Sequence, residues 1–392
     1  MGNFIYLDNA ATTYPKPEQV YKVMEETNRH LAVNAGRGSY RLAKKAVGVM
    51  EQTRENILKI AKAEQVAEVV FTPSATFACN QVLAGIDWKK GDIVYVTPYE
   101  HNAVMRVLHL LQQRYEFQVE ELAIEPETLQ LNKEKIRYQF GKNHPKAVVM
   151  SHVSNVTGYI IPWEAIAKEA EQYQAIVVVD GSQGLGLVPV QLKNTAVDFY
   201  IFAGHKTLYG PLGVGGYINN HGKRLKHLLA GGTGSDSLNL EMPDDSAGYE
   251  PGSHNIIAIA GLLKATEEIL ATEEKHDLGK EQELCQYMIK KLQKIPGVIL
   301  YGNKSESEFV MEQGTGIVPV NIEGYKAADV GMILDEDYNI AVRTGYHCAP
   351  LIHKYLKDED YAGVVRISLG RFNTKEEIDC LVKAVEEIAM GY

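Results

Sequence analysis

The chain has 392 residues, 45% of them hydrophobic, enough for two or three ordinary domains or for one large α/β unit with a smaller one appended. Forty basic against fifty acidic side chains give a formal charge of −10, which argues against nucleic acid or anionic lipid as the main partner, because phosphate backbones require a positive patch. The four cysteines, Cys79, Cys285, Cys348 and Cys380, show neither a CxxC pair nor zinc-finger spacing; this argues against a disulfide scaffold and a metal site, and for a reducing cytoplasm.

The opening residues, MGNFIYLDNAATT, lack a basic segment followed by an apolar one, and no 18-residue apolar run follows. We therefore expect no signal peptide and no membrane span. Residues 42–62 place apolar side chains at helical spacing. The run 66–72 reads as a strand and 75–86 as a helix, with a second strand at 92–97 and a helix at 101–115. A third strand, 146–154, precedes a helix at 162–173. The apolar, β-branched runs 175–180 and 197–204 read as buried parallel strands. This alternation predicts a mostly parallel sheet with helices on both faces.

From about residue 261 the pattern changes, with one long charged helix expected over about 258–294. Shorter strands are expected near 297–301, 315–322, 339–343 and 364–370, with a terminal helix at 374–390. The Gly-, Ser-, Asp- and Pro-rich stretch 230–256 is the natural junction, and its length marks it as functional or mobile. The expected division is a large domain, 16–258, and a small α+β domain built from 1–15 and 259–392.

Ligands of open parallel sheets bind beyond the carboxyl ends of the strands. Four predicted strands end there on chemically useful residues: His101, Asn155, Asp180 with Gln183, and His205-Lys206. Each alone has a bland reading. A strand-final Asp can be a helix cap, and a lysine in a glycine-rich turn can be a solvated charge. Their convergence fits pyridoxal 5′-phosphate (PLP). That cofactor needs an amine for a Schiff base, which Lys206 can supply. It also needs a carboxylate such as Asp180 against its pyridine nitrogen. Its phosphate suits backbone N–H groups at a helix start, which the run TPSATF (72–77) offers, with Thr76 as the hydroxyl.

The motifs YLDNAATT (6–13), SHVSNVTG (151–158), VVVDGSQG (177–184), DFYIFAGHKTLYGPLGVGG (198–216), RTGYHCAP (343–350) and VRISLGRFNT (365–374) resemble those of class V aminotransferase-fold PLP enzymes. More narrowly they are similar to the cysteine desulfurase and selenocysteine lyase branch. The resemblance implies the fold type I architecture of PLP-dependent transferases, with a large, mostly parallel, seven-stranded sheet and a smaller C-terminal α+β domain. It also implies roles. Lys206 carries the cofactor. His101 stacks on its ring and is a candidate, with Lys206, for moving the substrate proton. Asp180 pairs with the pyridine nitrogen and Gln183 sits by the phenolic oxygen. Thr76, the backbone at Ala75, and His205 hold the phosphate. Ser253 reaches across a homodimer to the neighbouring phosphate. Arg366 clamps the substrate carboxylate in a bidentate fork, with Asn155 and Arg343 nearby.

Cys348 carries the specific expectation. A cysteine in an average setting is a small core residue, and Cys79, Cys285 and Cys380 fall in predicted helices. Cys348 lies in a turn-rich loop with His347 adjacent and Arg343 close, both of which would favour a thiolate. The resemblance places it in the second of two desulfurase groups, which carries the cysteine on a short loop. The implied reaction converts L-cysteine to L-alanine and leaves the sulfur on Cys348 as a persulfide for an acceptor protein, iron–sulfur cluster assembly being one destination. A selenocysteine lyase acting on L-selenocysteine, another class V elimination or transamination, and a non-enzymatic PLP-containing assembly partner are the alternatives. Two positions depart from the family pattern: Ala203 stands where a serine usually precedes Gly-His-Lys, and the phosphate cup reads Ser-Ala-Thr rather than carrying paired threonines. The stretch 230–250 is also shorter than in better-known members.

Overall fold

Strands without a polar face organise this fold, in a computed structural model that describes residues 4–35, 38–234, 238–272, 278–302 and 314–391. A short strand β1 (Ile5–Tyr6) precedes helices α1 (Glu18–His30) and α2 (Arg41–Ala61). Strands β2 (Glu68–Thr72), β3 (Ile93–Val96), β4 (Gln118–Glu121), β5 (Ala147–Ser151), β6 (Ile176–Asp180), β7 (Phe199–Ala203) and β8 (Gly215–Asn219) follow. They are interleaved with helices α3 (Ala75–Gly85), α4 (Asn102–Tyr115), α5 (Lys133–Lys142) and α6 (Trp163–Glu171). The seven strands pair in the order β2-β8-β7-β6-β5-β3-β4, and β8 alone runs antiparallel to its neighbours.

Successive side chains of a strand point to opposite faces, and here both faces are dry. Val177 and Val179 of β6 pack with α2 and α6, while Val178 packs with α3 and α4 on the other side. Tyr200 and Phe202 of β7 take the first face and Phe199 and Ile201 the second. This two-sided burial explains the unbroken apolar runs of the sequence. It also aligns the strand ends: Ser151 is in register with Asp180, and Asp180 with Ile201.

The rest of the chain comprises helices α7 (Ile256–Ala271) and α8 (Leu278–Leu292) and strands β9 (Val298–Leu300) and β10 (Ile317–Ile322). These are followed by α9 (Ala327–Tyr338), β11 (Ile340–Ala341), β12 (Arg343–Gly345), α10 (His353–Leu356), β13 (Val364–Ser368) and α11 (Lys375–Ala389). A four-stranded antiparallel sheet, β12-β13-β10-β9, forms the smaller unit, and β1 pairs with β11 in parallel. Ile5 and Leu7 of the N-terminal segment join this smaller core.

The single helix expected over 258–294 is instead two helices, with residues 273–277 outside the described residues. The Thr272 hydroxyl donates to the carbonyls of Glu268 and Ile269 at the end of α7, a bond that competes with helix continuation. The two helices serve different cores. Ile256, Ala258, Ile259 and Leu262 of α7 pack beneath the large sheet, whereas Leu284, Cys285 and Met288 of α8 pack in the small unit. By packing, α7 goes with the large sheet and α8 with the small unit. The strand expected at 339–343 is likewise split, because β11 and β12 belong to different sheets. No helix among the described residues is long and apolar enough to cross a membrane.

Two glycines set the spacing of β8. A Cβ on Gly215 would lie 2.9 Å from the Ala75 nitrogen, and one on Gly216 would lie 2.2 Å from the Val70 carbonyl oxygen and 2.8 Å from the Phe202 ring. Close approach of the β2–α3 turn to the sheet thus requires their missing side chains. Gly216→Ala should lower stability by about 1–3 kcal/mol through overpacking, read as a lower urea midpoint; an unchanged midpoint would remove this account of the β2–β8 spacing.

Candidate active site

The carboxyl ends of β5, β6 and β7, the starts of α3 and α4, and β12 and β13 enclose a cavity of about 210 Å³. Ala75, Thr76, His101, Asn155, Asp180, Gln183, His205, Lys206, Arg343 and Arg366 all line it. The segment after β1 closes one side, where Gln183 Nε2 donates to the Ala10 carbonyl at 2.7 Å.

At the start of α3, Ser74 Oγ accepts the Phe77 N–H at 3.2 Å as the N-cap. Ala75 and Thr76 then occupy the first turn, where N–H groups lack helical partners and favour an anion. His205 Nδ1 and Ser182 Oγ are buried without a hydrogen-bond partner among the described residues, and both residues line the cavity. Such orphaned polar atoms call for a polar ligand.

Lys206 stands in the turn after β7. The turn is pinned from the N-terminal segment: Thr13 Oγ1 donates to the carbonyls of His205 and Lys206, and Lys16 Nζ donates to the His205 carbonyl at 2.7 Å. Burial holds the Lys206 amine below its ordinary range. Asp180 opposes this, and the positive charges of Arg366 and Arg343 reinforce it. Lys16 is itself lowered to about 7 by burial.

Asp180 is buried, and its Oδ1 accepts the Ser182 N–H at 3.0 Å. His101 caps α4, its Nδ1 accepting the Ala103 N–H at 3.0 Å. That bond places the ring proton on Nε2. Burial first, then the Lys206 charge, lowers His101 to about 4, so the ring is neutral near pH 7. Beneath it lies Glu100, fully buried. The Thr97 hydroxyl, the Ser151 N–H (2.7 Å) and the Ser151 hydroxyl (3.0 Å) all donate to its carboxyl. Burial nevertheless raises Glu100 to about 8 against those three donors.

Arg366 comes from β13 and is 1% exposed. Its Nη1 donates to the Asn155 carbonyl at 2.9 Å and its Nη2 to Asp8 Oδ1 at 2.6 Å; its Nε is buried with no partner among the described residues.

Cys348 lies at the rim, within a turn closed by the Ala349 N–H donating to the Tyr346 carbonyl at 3.0 Å. Both central residues have positive φ, 46° at His347 and 57° at Cys348, as a type I′ turn requires. For side chains with a Cβ this costs roughly 1–2 kcal/mol each. External donors hold the turn: Asn155 Nδ2 reaches the His347 carbonyl at 2.8 Å, and the Asn102 N–H reaches the Cys348 carbonyl at 2.6 Å. Cys348 is partly exposed, and Arg343 Nη2 lies 3.6 Å from its sulfur. Cys79 and Cys285 are buried with their thiols pushed up by burial, and Cys380 is exposed on α11.

The structure corrects one expectation. His347, read as a positive neighbour of the thiol, turns its ring into the protein, where Nε2 donates to the Val364 carbonyl at 3.1 Å. Burial and the Arg366 charge lower it to about 3, so it carries no charge near pH 7. The cation beside the sulfur is Arg343. Ser253 lies outside the cavity of its own chain and is exposed, its Oγ accepting from Asn34 Nδ2 at 2.9 Å. Three residues of the site went unread. Asp8 lies within YLDNAATT, Glu100 immediately precedes His101, and Lys16 follows the first motif. Their neighbours were the only signal. No group of three His, Cys, Asp or Glu among the described residues could hold a metal.

The buried imidazoles make stability depend on pH. His101, His152, His205 and His347 all have folded values depressed to about 3–4. Above their ordinary value near 6.5 they are neutral in both states. As pH falls the unfolded chain takes up the protons first, so stability is lost between about 6.5 and 4. Glu100, raised to about 8, acts in the opposite sense between 8 and its ordinary 4.5, one group against four. The cofactor-free protein should lose at least ~2 kcal/mol of unfolding free energy from pH 6.5 to 4, measured by urea titration. A flat profile would show that these rings are hydrated.

The aminotransferase class-V family model matches residues 5–381. A probable cysteine desulfurase of Halalkalibacterium halodurans is 31% identical over 396 residues, covering 98% of this chain and 92% of the relative. A cysteine desulfurase of Shigella sonnei is 32% identical over 396 residues, covering 98% and 93%. The apo structure of a cysteine desulfurase from Thermococcus onnurineus superposes with a TM-score of 0.89 at 28% identity, over 99% of this chain and 95% of the other. With the site assembled at the carboxyl ends of a fold type I sheet and the match running through nearly the whole chain, the protein belongs to the aminotransferase class-V family.

Proposed function

We propose that the protein is a PLP-dependent cysteine desulfurase that converts L-cysteine to L-alanine and takes the sulfur onto Cys348. The observation that carries this reading is the Cys348 sulfur 3.6 Å from the Arg343 guanidinium, at the rim of the cavity lined by Lys206, Asp180, His101 and Arg366. The relatives that are about a third identical bear the same activity in their names.

The residues fit the cofactor. The first turn of α3 and the unpartnered His205 Nδ1 would hold its phosphate. Asp180 would face the pyridine nitrogen, Gln183 the phenolic oxygen, His101 the ring, and Lys206 would be the point of covalent attachment. When bound, PLP supplies an electron sink for the substrate Cα. Arg366 binds the substrate α-carboxylate, with Asn155 beside it. Lys206, whose amine burial holds below its ordinary range, would take the Cα proton once released from the cofactor. His101 already uses Nδ1 to accept the Ala103 N–H, so it presents a donor and Lys206 is the base. Arg343, 3.6 Å from the Cys348 sulfur, would offset negative charge there as the sulfur reacts. The thiolate attacks the substrate sulfur; an S–S bond forms, the C–S bond breaks, and its electron pair stays on carbon. A proton delivered to that carbon, and return of the Cα proton by Lys206, complete alanine. The persulfide sulfur then passes to an acceptor protein, and a reducing cytoplasm keeps the thiol available. Ser253, exposed and outside its own cavity, would complete the phosphate site of a second copy in a homodimer.

Cys348→Ala should retain cofactor absorbance and its change on adding cysteine, while alanine formation falls by roughly a hundredfold or more. Selenocysteine turnover should fall less, because the weaker C–Se bond depends less on nucleophilic attack. Alanine and sulfide assays, with mass spectrometry for the extra sulfur on wild-type Cys348, check this. Alanine production by the variant at the wild-type rate would defeat the persulfide route.

The active species should sediment as a dimer with two-fold symmetry. Ser253→Ala should weaken cofactor retention about tenfold, the worth of one hydrogen bond to a charged acceptor, without dissociating the dimer. An active monomer at assay concentration would overturn the shared site.

A further inference from the structure

The turn that presents Cys348 has three successive carbonyls, those of Tyr346, His347 and Cys348, and each accepts a hydrogen bond from outside the turn. The Asn155 side chain and the Asn102 N–H hold the second and third. The first is held by His353, whose Nε2 lies 3.0 Å from the Tyr346 oxygen. His353 is buried on α10, away from the cavity lining. Its other ring nitrogen, Nδ1, lies 2.5 Å from Asp358 Oδ2, and the Asp358 side chain is fully buried. Asp358 is itself fixed, its carbonyl accepting the N–H groups of Tyr361 (3.0 Å) and Gly363 (3.2 Å) at the entry to β13. The Tyr346 ring stands edge-on to the imidazole, at 5.0 Å and 87°.

This arrangement has the logic of an oriented imidazole: a carboxylate on one nitrogen fixes the plane in which the other can act. Here the other nitrogen acts on backbone. We propose that His353, oriented by Asp358, is a positioning residue for the sulfur-accepting turn, holding the Tyr346 carbonyl so that His347 and Cys348 stay left-handed and the sulfur stays at Arg343. Neither His353 nor Asp358 touches the cavity, so their effect reaches the chemistry only through the turn. Tyr346 accepts two bonds, from Ala349 and His353. Without the second, the turn keeps only its internal closure at that carbonyl, and positive φ at two non-glycine residues makes relaxation favourable.

The proposal rests on the desulfurase reading, and the test separates the two. His353→Met fills the ring's volume without a donor, and His353→Gln restores an amide donor. In the PLP-loaded enzyme, His353→Met should lower kcat for alanine formation from L-cysteine at least about tenfold with KM changed less than about twofold, because misplacing a nucleophile costs rate rather than binding. The cofactor's spectral response to cysteine should survive, and His353→Gln should recover most of kcat. Independently of activity, amide hydrogen exchange in cofactor-free protein should rise in the peptide spanning 343–356 for His353→Met, stay near wild type for His353→Gln, and not change in the sheet strands. If His353→Met alone does not fold, because Asp358 is left buried and unpaired, it is made together with Asp358→Asn and compared with Asp358→Asn. Unchanged kcat and exchange in the Met variant overturn the positioning role while leaving desulfuration intact. Loss of kcat that glutamine does not restore also overturns it, in favour of simple packing. A wild type that forms no alanine from cysteine overturns the desulfurase reading, and this proposal with it.

Discussion

Lys206 shares one cavity with two guanidinium groups, and much of the site follows from that. Like charges brought together away from water repel strongly, and the amine is the member that can yield, because arginine stays protonated. Burial and the two arginines together hold Lys206 below its ordinary range, with Asp180 opposing. The same field lowers His101. What results is a pocket with an amine held below its ordinary range, an uncharged imidazole and two guanidinium cations, suited to an anionic phosphate and carboxylate. Asp8 offsets part of the charge by occupying one arm of the Arg366 fork. With the Asn155 carbonyl on Nη1 and Asp8 on Nη2, the buried arginine is not left as an unpaired charge.

A second constraint acts at the rim. The cavity floor is built from strand ends buried on both sides, which leaves its side chains little freedom. The sulfur-bearing turn is the reverse: two non-glycine residues in left-handed conformation, kept by donors from α4, from the β5 end and from α10. A rigid floor suits proton transfer at fixed positions, whereas under the proposed function Cys348 would first meet the substrate and then an acceptor. A short turn under strain, secured by a few bonds, can do both without a long mobile loop.

The parallel strands were legible because burial on two faces writes itself as continuous apolar runs, and their ends named most of the cavity. The elements that escaped have no such signature. β4 reads Gln-Val-Glu-Glu at the sheet edge, β8 opens on two glycines, and α5 is largely charged and polar. The stretch 258–294 reads as one helix because residues 272–277, TEEKHD, contain no glycine or proline to mark a stop, whereas Thr272 turns its hydroxyl back on the helix. His347 failed for a different reason. Adjacency in sequence says nothing about direction, and the positive φ of the turn sends its ring towards Val364 rather than the sulfur. Asp8 was opaque as well, its partner Arg366 lying 358 positions away.

The departures from the family pattern at the phosphate cup can be weighed in the same terms. Ala203 lines the cavity and brings no hydroxyl. Ser74 spends its oxygen lone pair on the Phe77 N–H, which leaves its own O–H free to donate. Ser182, on the turn after β6, is 4% exposed, lines the same cavity, and keeps its hydroxyl without a partner among the described residues. A buried hydroxyl left unsatisfied costs about 1–3 kcal/mol, so it persists only where something polar meets it. Hydroxyl donors therefore remain in the cavity on Ser74, Thr76 and Ser182, displaced along the rim rather than lost. The Gly215 approach to the Ala75 nitrogen keeps the α3 terminus close enough to β8 and β7 for backbone N–H groups to carry the remainder of the anion's hydrogen bonds.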